Sequence, residues 1–237
     1  MTGTLINTGA IIIGGVGGIL FGKRLLPRHQ ETLTMACGVG TLFIGIAGAM
    51  EYMLRNTLFP SGGSMLVVIC LALGGFLGEV LNLEHLFERF GEWLKQKTGN
   101  ARDSGFVSGF VTASLTVCIG AMAIVGALED GISGDWSILG AKAVLDLIIV
   151  MVMSASLGKG CVFSAIPVFL WEGVLTLLAG YLRPILTDQA MGYLSLVGNV
   201  LIFCVGINLI WGKKIRVANL LPAVALAVLA SFLPLQF

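Results

Sequence analysis

Charged residues are scarce in this chain of 237 residues, because Asp, Glu, Lys and Arg together make up only 11% of it. Hydrophobic residues make up 57%, and the mean hydropathy is +0.97. A soluble domain typically carries about 25% charged residues. The composition therefore excludes a soluble globular protein and predicts a membrane protein. The formal net charge of +1 provides no basic surface for nucleic acid, so we expect no nucleic-acid partner.

The chain also lacks the residue patterns of a disulfide framework, a metal site or an enzyme. Its five cysteines form no CxxC pair and no cluster with histidine, so we expect buried free thiols. The two histidines, His29 and His85, belong to no set of Ser, His and Asp residues of the hydrolase kind. No Walker motif is present. We therefore expect no catalytic residues, no cofactor and no metal ion.

Eight apolar stretches are long enough to cross a membrane. Each has about 19–22 residues, and a helix of about 20 residues spans a hydrocarbon core of about 30 Å. The sequence therefore predicts one all-α transmembrane domain over residues 1–237, a polytopic helix bundle of about eight spans. The predicted spans are residues 4–22, 36–54, 64–82, 106–127, 137–158, 161–182, 191–211 and 217–236.

Basic residues are divided unequally between the two sides of this bundle. Eleven of the fourteen Lys and Arg residues fall in the gaps after spans 1, 3, 5 and 7, whereas only Arg55 and Arg183 fall in the other gaps. Positively charged short loops stay in the cytoplasm. We therefore expect both termini to lie outside, and residues 82–100 to be cytoplasmic. The apolar residues of that segment recur at helical spacing, which predicts an amphipathic helix lying in the membrane interface.

An inverted repeat is a further hypothesis about organisation. Sliding the chain against itself by 158 residues overlays spans 1 and 2 on spans 6 and 7, with eight identities such as Gly15 with Gly173 and Gly48 with Gly206. Two Gly- and Leu-rich helices give nearly as many identities by chance. Three-helix units made of spans 1–3 and 6–8 would cross in opposite directions, as in many secondary transporters.

Glycines recur at four-residue intervals in two of the predicted spans. Small residues at this spacing let two helices approach closely, inside one protomer or between protomers. The pattern predicts tight helix packing, and we expect a homodimer with a glycine-rich face at or near its interface. The glycines are Gly14, Gly18 and Gly22 in span 1 and Gly74 and Gly78 in span 3.

Polar residues inside the spans are the main functional signal, because a charge at the centre of a helix costs about 2.5–3.5 kcal/mol on insertion scales. Asp146 in span 5, Glu172 in span 6 and Asn199 in span 7 fall at similar predicted depth. Lys142 precedes Asp146 by one helical turn, so these two side chains can pair. The set predicts a transport site at the midplane, whereas the structural alternative is an ion pair that only holds helices together.

Three acidic residues, Glu129, Asp130 and Asp135, follow span 4 in a loop without basic residues. On the outer side such a loop would form an acidic mouth that attracts cations. The alternative is a tight acidic turn, because Gly131 and Gly134 allow sharp backbone bends. The spacing of an EF-hand calcium loop is absent.

Two long stretches resemble a known family. They are CIGAMAIVGALEDGISGDWSILGAKAVLD, from Cys118 to Asp146, and SLGKGCVFSAIPVFLWEGVLTLLAG, from Ser156 to Gly180. Together with GTLINTGAIIIGG near the N-terminus and NLLPAVALA near the C-terminus, they are similar to the YqgA/YdfK-like family of bacterial multipass inner-membrane proteins, a domain-of-unknown-function group. The resemblance implies that the chain is a multipass protein of the bacterial cytoplasmic membrane, and that the acidic loop and the Lys142–Asp146 pair are family features.

Three functional hypotheses remain open at this point. The leading one is an ion-coupled secondary transporter of a small solute or cation, with Na⁺ or H⁺ as coupling ion. Asp146 and Glu172 would bind the ion, Lys142 would tune them, and Asn199 would be a neutral ligand. The second is a passive channel that uses the same residues. The third is a non-transporting membrane scaffold or assembly protein, in which the glycine faces matter most.

Overall fold

A computed structural model describes residues 1–22, 24–54, 63–101, 103–119 and 121–232. Within these ranges all regular secondary structure is helical, with no β-strand. The first helices are α1 Thr2–Gly22, α2 Pro27–Met53, α3 Ser64–Leu81, α4 Leu83–Lys97, α5 Phe106–Cys118, α6 Ala121–Ile132 and α7 Ser137–Leu157. A 3-10 segment, Lys159–Ser164, leads into α8 Ala165–Leu177, α9 Ala179–Leu182, α10 Asp188–Trp211, α11 Val217–Leu220 and α12 Pro222–Ala230. The predicted all-α class is confirmed.

Six helical segments of the described chain are long and apolar enough to cross a membrane, and they match predicted spans 1, 2, 3, 5, 6 and 7. They are Thr2–Gly22, Arg28–Met53, Ser64–Leu81, Ser137–Leu157, Lys159–Leu177 and Asp188–Trp211. Length and composition thus support a polytopic membrane protein with about six candidate spans. The orientation of the termini and the inverted repeat stay predictions. Lys23, Arg55 and Arg102, which contribute to the predicted orientation, lie outside the described residues.

The two remaining predicted spans are not continuous helices. Span 4 is divided into α5 and α6, whose axes differ by 62°, so it adds a seventh crossing only if the bent pair counts as one span. Span 8 is the shorter apolar segment Val217–Ala230, and the last residues predicted for it lie beyond the described part. This segment is interrupted before Pro222, whose ring removes a backbone N–H donor. The exact number of eight spans is therefore not confirmed.

The chain folds as two compact units. The first unit consists of Met1–Cys37, Leu86–Cys118 and Met122–Leu182. The second unit consists of Gly38–His85, Ile119–Ala121 and Arg183–Phe237. The amphipathic segment predicted for residues 82–100 is α4. In the first unit its Phe90 ring lies 5.8 Å from the ring of Phe110 on α5, so part of its apolar face is covered by protein. Its cytoplasmic position stays a prediction.

A glycine stripe on α1 lies directly against the backbone of α7 in the first unit. A methyl group at Gly14 would come within 2.3 Å of the Leu147 carbonyl oxygen, and one at Gly18 within 2.1 Å of the Met151 carbonyl oxygen. A methyl group at Gly22 would likewise come within 2.7 Å of the Ala155 carbonyl oxygen. Only glycine permits this approach, so this stripe packs inside the protomer.

The glycines of α3 pack against α11 and α12 in the second unit. A methyl group at Gly74 would lie 2.4 Å from the Ala223 nitrogen, and one at Gly78 would lie 1.8 Å from the Asn219 carbonyl oxygen. Both predicted glycine faces are thus covered within the chain. A homodimer stays a prediction, and its interface would have to use another surface.

Polar contacts hold the short helix α11 beside α3 and α4. The Asn219 side chain accepts a hydrogen bond from the backbone nitrogen of Glu84 at 2.7 Å and donates one to Glu79 Oε2 at 2.6 Å. The buried Glu84 carboxylate accepts a hydrogen bond from the Ala218 nitrogen at 3.1 Å and lies 2.8 Å from Lys213 Nζ. The Glu84 and Ala218 nitrogens lie in the first turns of α4 and α11, where backbone N–H groups have no partner within the helix, and these side chains supply one.

Candidate functional site

Lys142 and Asp146 form a buried ion pair on α7. Their exposed fractions are 6% and 4%, and the Lys142 ammonium group donates directly to Asp146 Oδ2. The spacing of four residues places both side chains on one face of the helix. Lys142 Nζ also donates a hydrogen bond of 2.8 Å to the carbonyl oxygen of Val117 on α5. The pair predicted from the sequence is therefore present, and it has a third member from another helix.

The Val117 carbonyl belongs to the last turn of α5, where the helix ends before the bend to α6. The last carbonyl groups of a helix have no partner within the helix, and they form the negative end of its dipole. A buried ammonium group is a favourable partner for this helix end. The interruption of the predicted span 4 thus lies next to the charged pair, and it supplies one of the oxygens around Lys142.

Glu172 brings a second carboxylate to the same lysine from α8. Its side chain is fully buried, and its Oε1 lies 3.6 Å from Lys142 Nζ. The same oxygen accepts a hydrogen bond of 2.8 Å from Nδ2 of Asn7 on α1. We call Asn7, Lys142, Asp146 and Glu172 the charged cluster. All four residues belong to the first unit.

Charge and hydrogen bonding are both incomplete in this cluster. Two ionised carboxylates against one ammonium group leave one negative charge in a buried setting, which is costly without a further partner. Two buried oxygens, Glu172 Oε2 and Asn7 Oδ1, accept no hydrogen bond from the described residues. Buried polar groups normally have partners, so the pair of orphaned acceptors indicates a place for a donor or a cation.

A short polar stripe continues the cluster along α1 and α8. The hydroxyl groups of Thr4 and Thr176 lie 3.3 Å apart, and the Thr176 hydroxyl donates to the Glu172 carbonyl oxygen at 2.8 Å. Thr4 and Asn7 are both fully buried and one turn apart, so they present one polar face of α1 to α8. Sequence reasoning missed Asn7. The signal that could have found it is that it is the only amide side chain in α1.

The three acidic residues of the predicted mouth have different surroundings. Asp130 is buried, with Oδ2 accepting a hydrogen bond of 3.0 Å from the Gly3 nitrogen and lying 2.8 Å from the Met1 amino group. Glu129 and Asp135 are exposed. Hydrogen bonds from the hydroxyl group and backbone nitrogen of Ser137 hold the pKa of Asp135 below its usual value, at the start of α7. Asp130 thus binds the start of α1 inside the protein, whereas the Glu129 and Asp135 side chains of the predicted acidic mouth are exposed to solvent.

Asn199 belongs to the second unit, whereas the other predicted site residues belong to the first. Its Nδ2 donates a hydrogen bond of 2.8 Å to the Ser195 carbonyl oxygen on the preceding turn of α10. The side chain lies against α2, because a methyl group at Gly48 would come within 2.2 Å of Asn199 Oδ1. These contacts give Asn199 a packing role in its own unit. The structure does not place it among the contacts of the charged cluster.

The apolar helices, together with the charged cluster on three of them, define a polytopic α-helical membrane protein. The chain belongs to the family described as "Protein of unknown function (DUF554)", which matches residues 2–232. The resemblance expected from the sequence is therefore confirmed.

Two relatives are similar over nearly their whole length. The "Uncharacterized membrane protein YdfK" of Bacillus subtilis (strain 168) is 30% identical over 232 residues, which cover 98% of this chain and 96% of the relative. The "Uncharacterized protein YqgA" of Escherichia coli (strain K12) is 31% identical over 231 residues, covering 95% and 94% respectively. No solved structure matches the chain significantly.

Proposed function

We propose that this protein is an ion-coupled secondary transporter of a small solute or cation in the bacterial cytoplasmic membrane. The observation that supports the proposal is the charged cluster, in which Lys142 and two carboxylates are buried on candidate membrane spans. Each such charge costs about 2.5–3.5 kcal/mol on insertion scales. A cluster that served only to join helices would avoid this cost with apolar residues or with balanced charges. This cluster retains one carboxylate more than it has cations.

The interrupted helices support the same proposal. Secondary transporters bind ions where helices are broken at membrane depth, because the free ends offer unpaired backbone groups. In this chain the end of α5 faces Lys142 through the Val117 carbonyl, and α8 is entered through a 3-10 segment after Gly158, whose φ is 92°. Ion binding at such a site would be able to change how the two halves of span 4 pack.

Proteoliposomes test this proposal with Glu172→Gln beside wild type, and with Glu92→Gln on the exposed face of α4 as a matched control. Rapid exchange of Na⁺, K⁺, amino acids and sugars on a solid-supported membrane records any charge movement. We expect wild type and Glu92→Gln to give saturable currents with at least one of these probes, and Glu172→Gln to lose them.

The other outcomes separate the alternatives. Currents that Glu172→Gln retains would contradict the assigned site. Currents that rise in proportion to concentration without saturation would favour a passive channel. Silence with every probe and ion gradient would favour the scaffold, for which the direct pairing of Lys142 with Asp146 is the favourable observation. We also propose a homodimer, which mass measurement in mild detergent would contradict if only monomer is present at all concentrations.

A further inference from the structure

We propose that Glu172 and Asn7 form a proton-binding pair, and that a proton held on Glu172 Oε2 is the coupling ion of the transporter. The binding site itself rests only on the geometry of the charged cluster. The coupling role rests on the function proposed above.

The first argument is the hydrogen-bonding pattern of the two side chains. A protonated carboxyl group and a primary amide can join through two hydrogen bonds, N–H to C=O and O–H to O=C. One of these is present, from Asn7 Nδ2 to Glu172 Oε1 at 2.8 Å. The two atoms that would make the other, Glu172 Oε2 and Asn7 Oδ1, are the buried acceptors that find no donor in the described part of the chain. A proton on Oε2 supplies that donor, and it satisfies both oxygens at once.

The second argument is charge. The groups that act on Glu172 are Lys142 and Asp146 on α7 and the Cys118 thiol on α5. Lys142 donates directly to Asp146 and to the Val117 carbonyl oxygen, and its distance of 3.6 Å from Glu172 exceeds that of a good hydrogen bond. Neutralising Glu172 with one proton balances Lys142 against Asp146. The cluster then carries no net charge.

The same surroundings disfavour a metal cation. Hard cations such as Ca²⁺ and Mg²⁺ take six or more oxygen ligands, whereas two unpartnered oxygens are found at this pair. The Lys142 ammonium group is 3.6 Å from Glu172 and would repel a cation bound there. A proton needs one acceptor and one carboxylate oxygen, which the pair provides.

Infrared difference spectroscopy of the purified full chain in nanodiscs tests proton binding without any transport. Spectra in acidic minus alkaline buffer should show the carbonyl band of a protonated carboxyl group in wild type and in Glu92→Gln. Glu172→Gln should lose this band. Asn7→Leu should keep it at a higher frequency, because the carbonyl group loses its hydrogen-bond donor. A spectrum that Glu172→Gln leaves unchanged, or a band that Asn7→Leu does not move, would overturn the proposal.

A stability measurement keeps the test decisive if Asn7→Leu does not fold. Glutamine at position 172 offers an N–H to Asn7 Oδ1 at every pH, so it mimics the protonated state. If the folded protein holds a proton that the unfolded chain releases, stability falls as the pH rises. We expect the melting temperature of wild type to drop between acidic and alkaline buffer by more than that of Glu172→Gln, which still contains Lys142, Asp146 and Cys118. Equal drops in the two proteins would contradict the proposal.

A last measurement, the melting temperature at alkaline pH with added Na⁺ or K⁺, tests sodium as the alternative ion. Stabilisation of wild type by Na⁺ but not by K⁺, lost in Glu172→Gln, would overturn the proton in favour of sodium. A Glu172-dependent band without any current in proteoliposomes would support the proton site while removing its coupling role. Saturable currents that do not depend on pH would leave the transporter in place and remove the proton as its coupling ion.

Discussion

At the scale of single residues, the central member of the charged cluster is Lys142. Its ammonium group is shared by Asp146, Glu172 and the Val117 carbonyl oxygen, which come from three different helices. Each of these oxygens loses hydration when it is buried, and the lysine is the cation that lies near all three. Removing it therefore affects the protein more than removing either carboxylate.

Replacing Lys142 by methionine should destabilise the protein by about 3–5 kcal/mol, because the buried Asp146 carboxylate loses its cation. The double change Lys142→Met with Asp146→Asn should recover part of this loss, since the uncompensated charge of Asp146 is removed as well. Equilibrium unfolding in mixed detergent micelles measures both effects. Lys97→Met, at an exposed position of α4, serves as the control and should change stability little. Equal stability of Lys142→Met and Lys97→Met would refute the shared-cation interpretation.

Much of the charged cluster could be predicted from the sequence, because charges inside apolar helices are rare and costly. Lys142, Asp146 and Glu172 were identified in this way. Asn7 was not, because a neutral amide near the start of an apolar helix carries no comparable cost, and its partner lies 165 residues away. Asn199, in contrast, was predicted as a site residue, but its contacts lie in the second unit. Counting residues along a span gives depth, but it does not give the helix that a side chain faces.

At the scale of helices, the contact between α1 and α7 depends on the absence of side chains. Three glycines one turn apart bring the α1 backbone against carbonyl oxygens of α7. This contact aligns Asn7 on α1 with the cluster on α7 and α8. The α1 helix thus has two functions, to close the packing of the first unit and to carry one member of the proposed proton pair.

Gly18→Ala should destabilise the protein by about 1–3 kcal/mol, the usual cost of overpacking, because the new methyl group would lie 2.1 Å from the Met151 carbonyl oxygen. The neighbouring Gly17→Ala is the matched control. Its methyl group would be 3.5 Å from the Met151 side chain, and alanine is the better helix former by about 1 kcal/mol. We therefore expect thermal unfolding in detergent to show a lower midpoint temperature than wild type for Gly18→Ala only. Similar midpoints for the two variants would show that α1 does not pack on α7 through this stripe.

Hydropathy predicted the positions of the helices but not their continuity. The predicted span 4 is divided between α5 and α6, and the span 8 region is divided before Pro222. An apolar run has the same hydropathy whether its helix is straight or bent. Pro222 gives a local reason for one interruption, because its ring removes a backbone donor. The other interruption, at the end of α5, lies beside Lys142, a residue 25 positions away from Val117 along the chain.

At the scale of the whole molecule, the orientation of the chain is the prediction with the widest reach. Eleven of fourteen basic residues fall on one predicted side. Reporter fusions after Phe237 should therefore be active with a periplasmic reporter, such as alkaline phosphatase, and inactive with a cytoplasmic one. Fusions after Gly99 should give the reverse pattern and serve as the internal control. An active cytoplasmic reporter after Phe237 would reverse the orientation or change the number of crossings.

The pairing of Asn7 with Glu172 also has a consequence for synthesis in the cell. The two residues are 165 positions apart, and a ribosome adds about 5–20 residues per second, so about 8–33 s separate their appearance. For most of that interval α1 is already made, while its glycine stripe has no α7 and its buried amide has no α8 to contact. Until α8 is synthesised, α1 therefore lies at the insertion machinery or in lipid with its polar face uncovered. A chain that ends before α8 would contain Lys142 and Asp146 but would lack Glu172, which lies 3.6 Å from Lys142 in the folded protein.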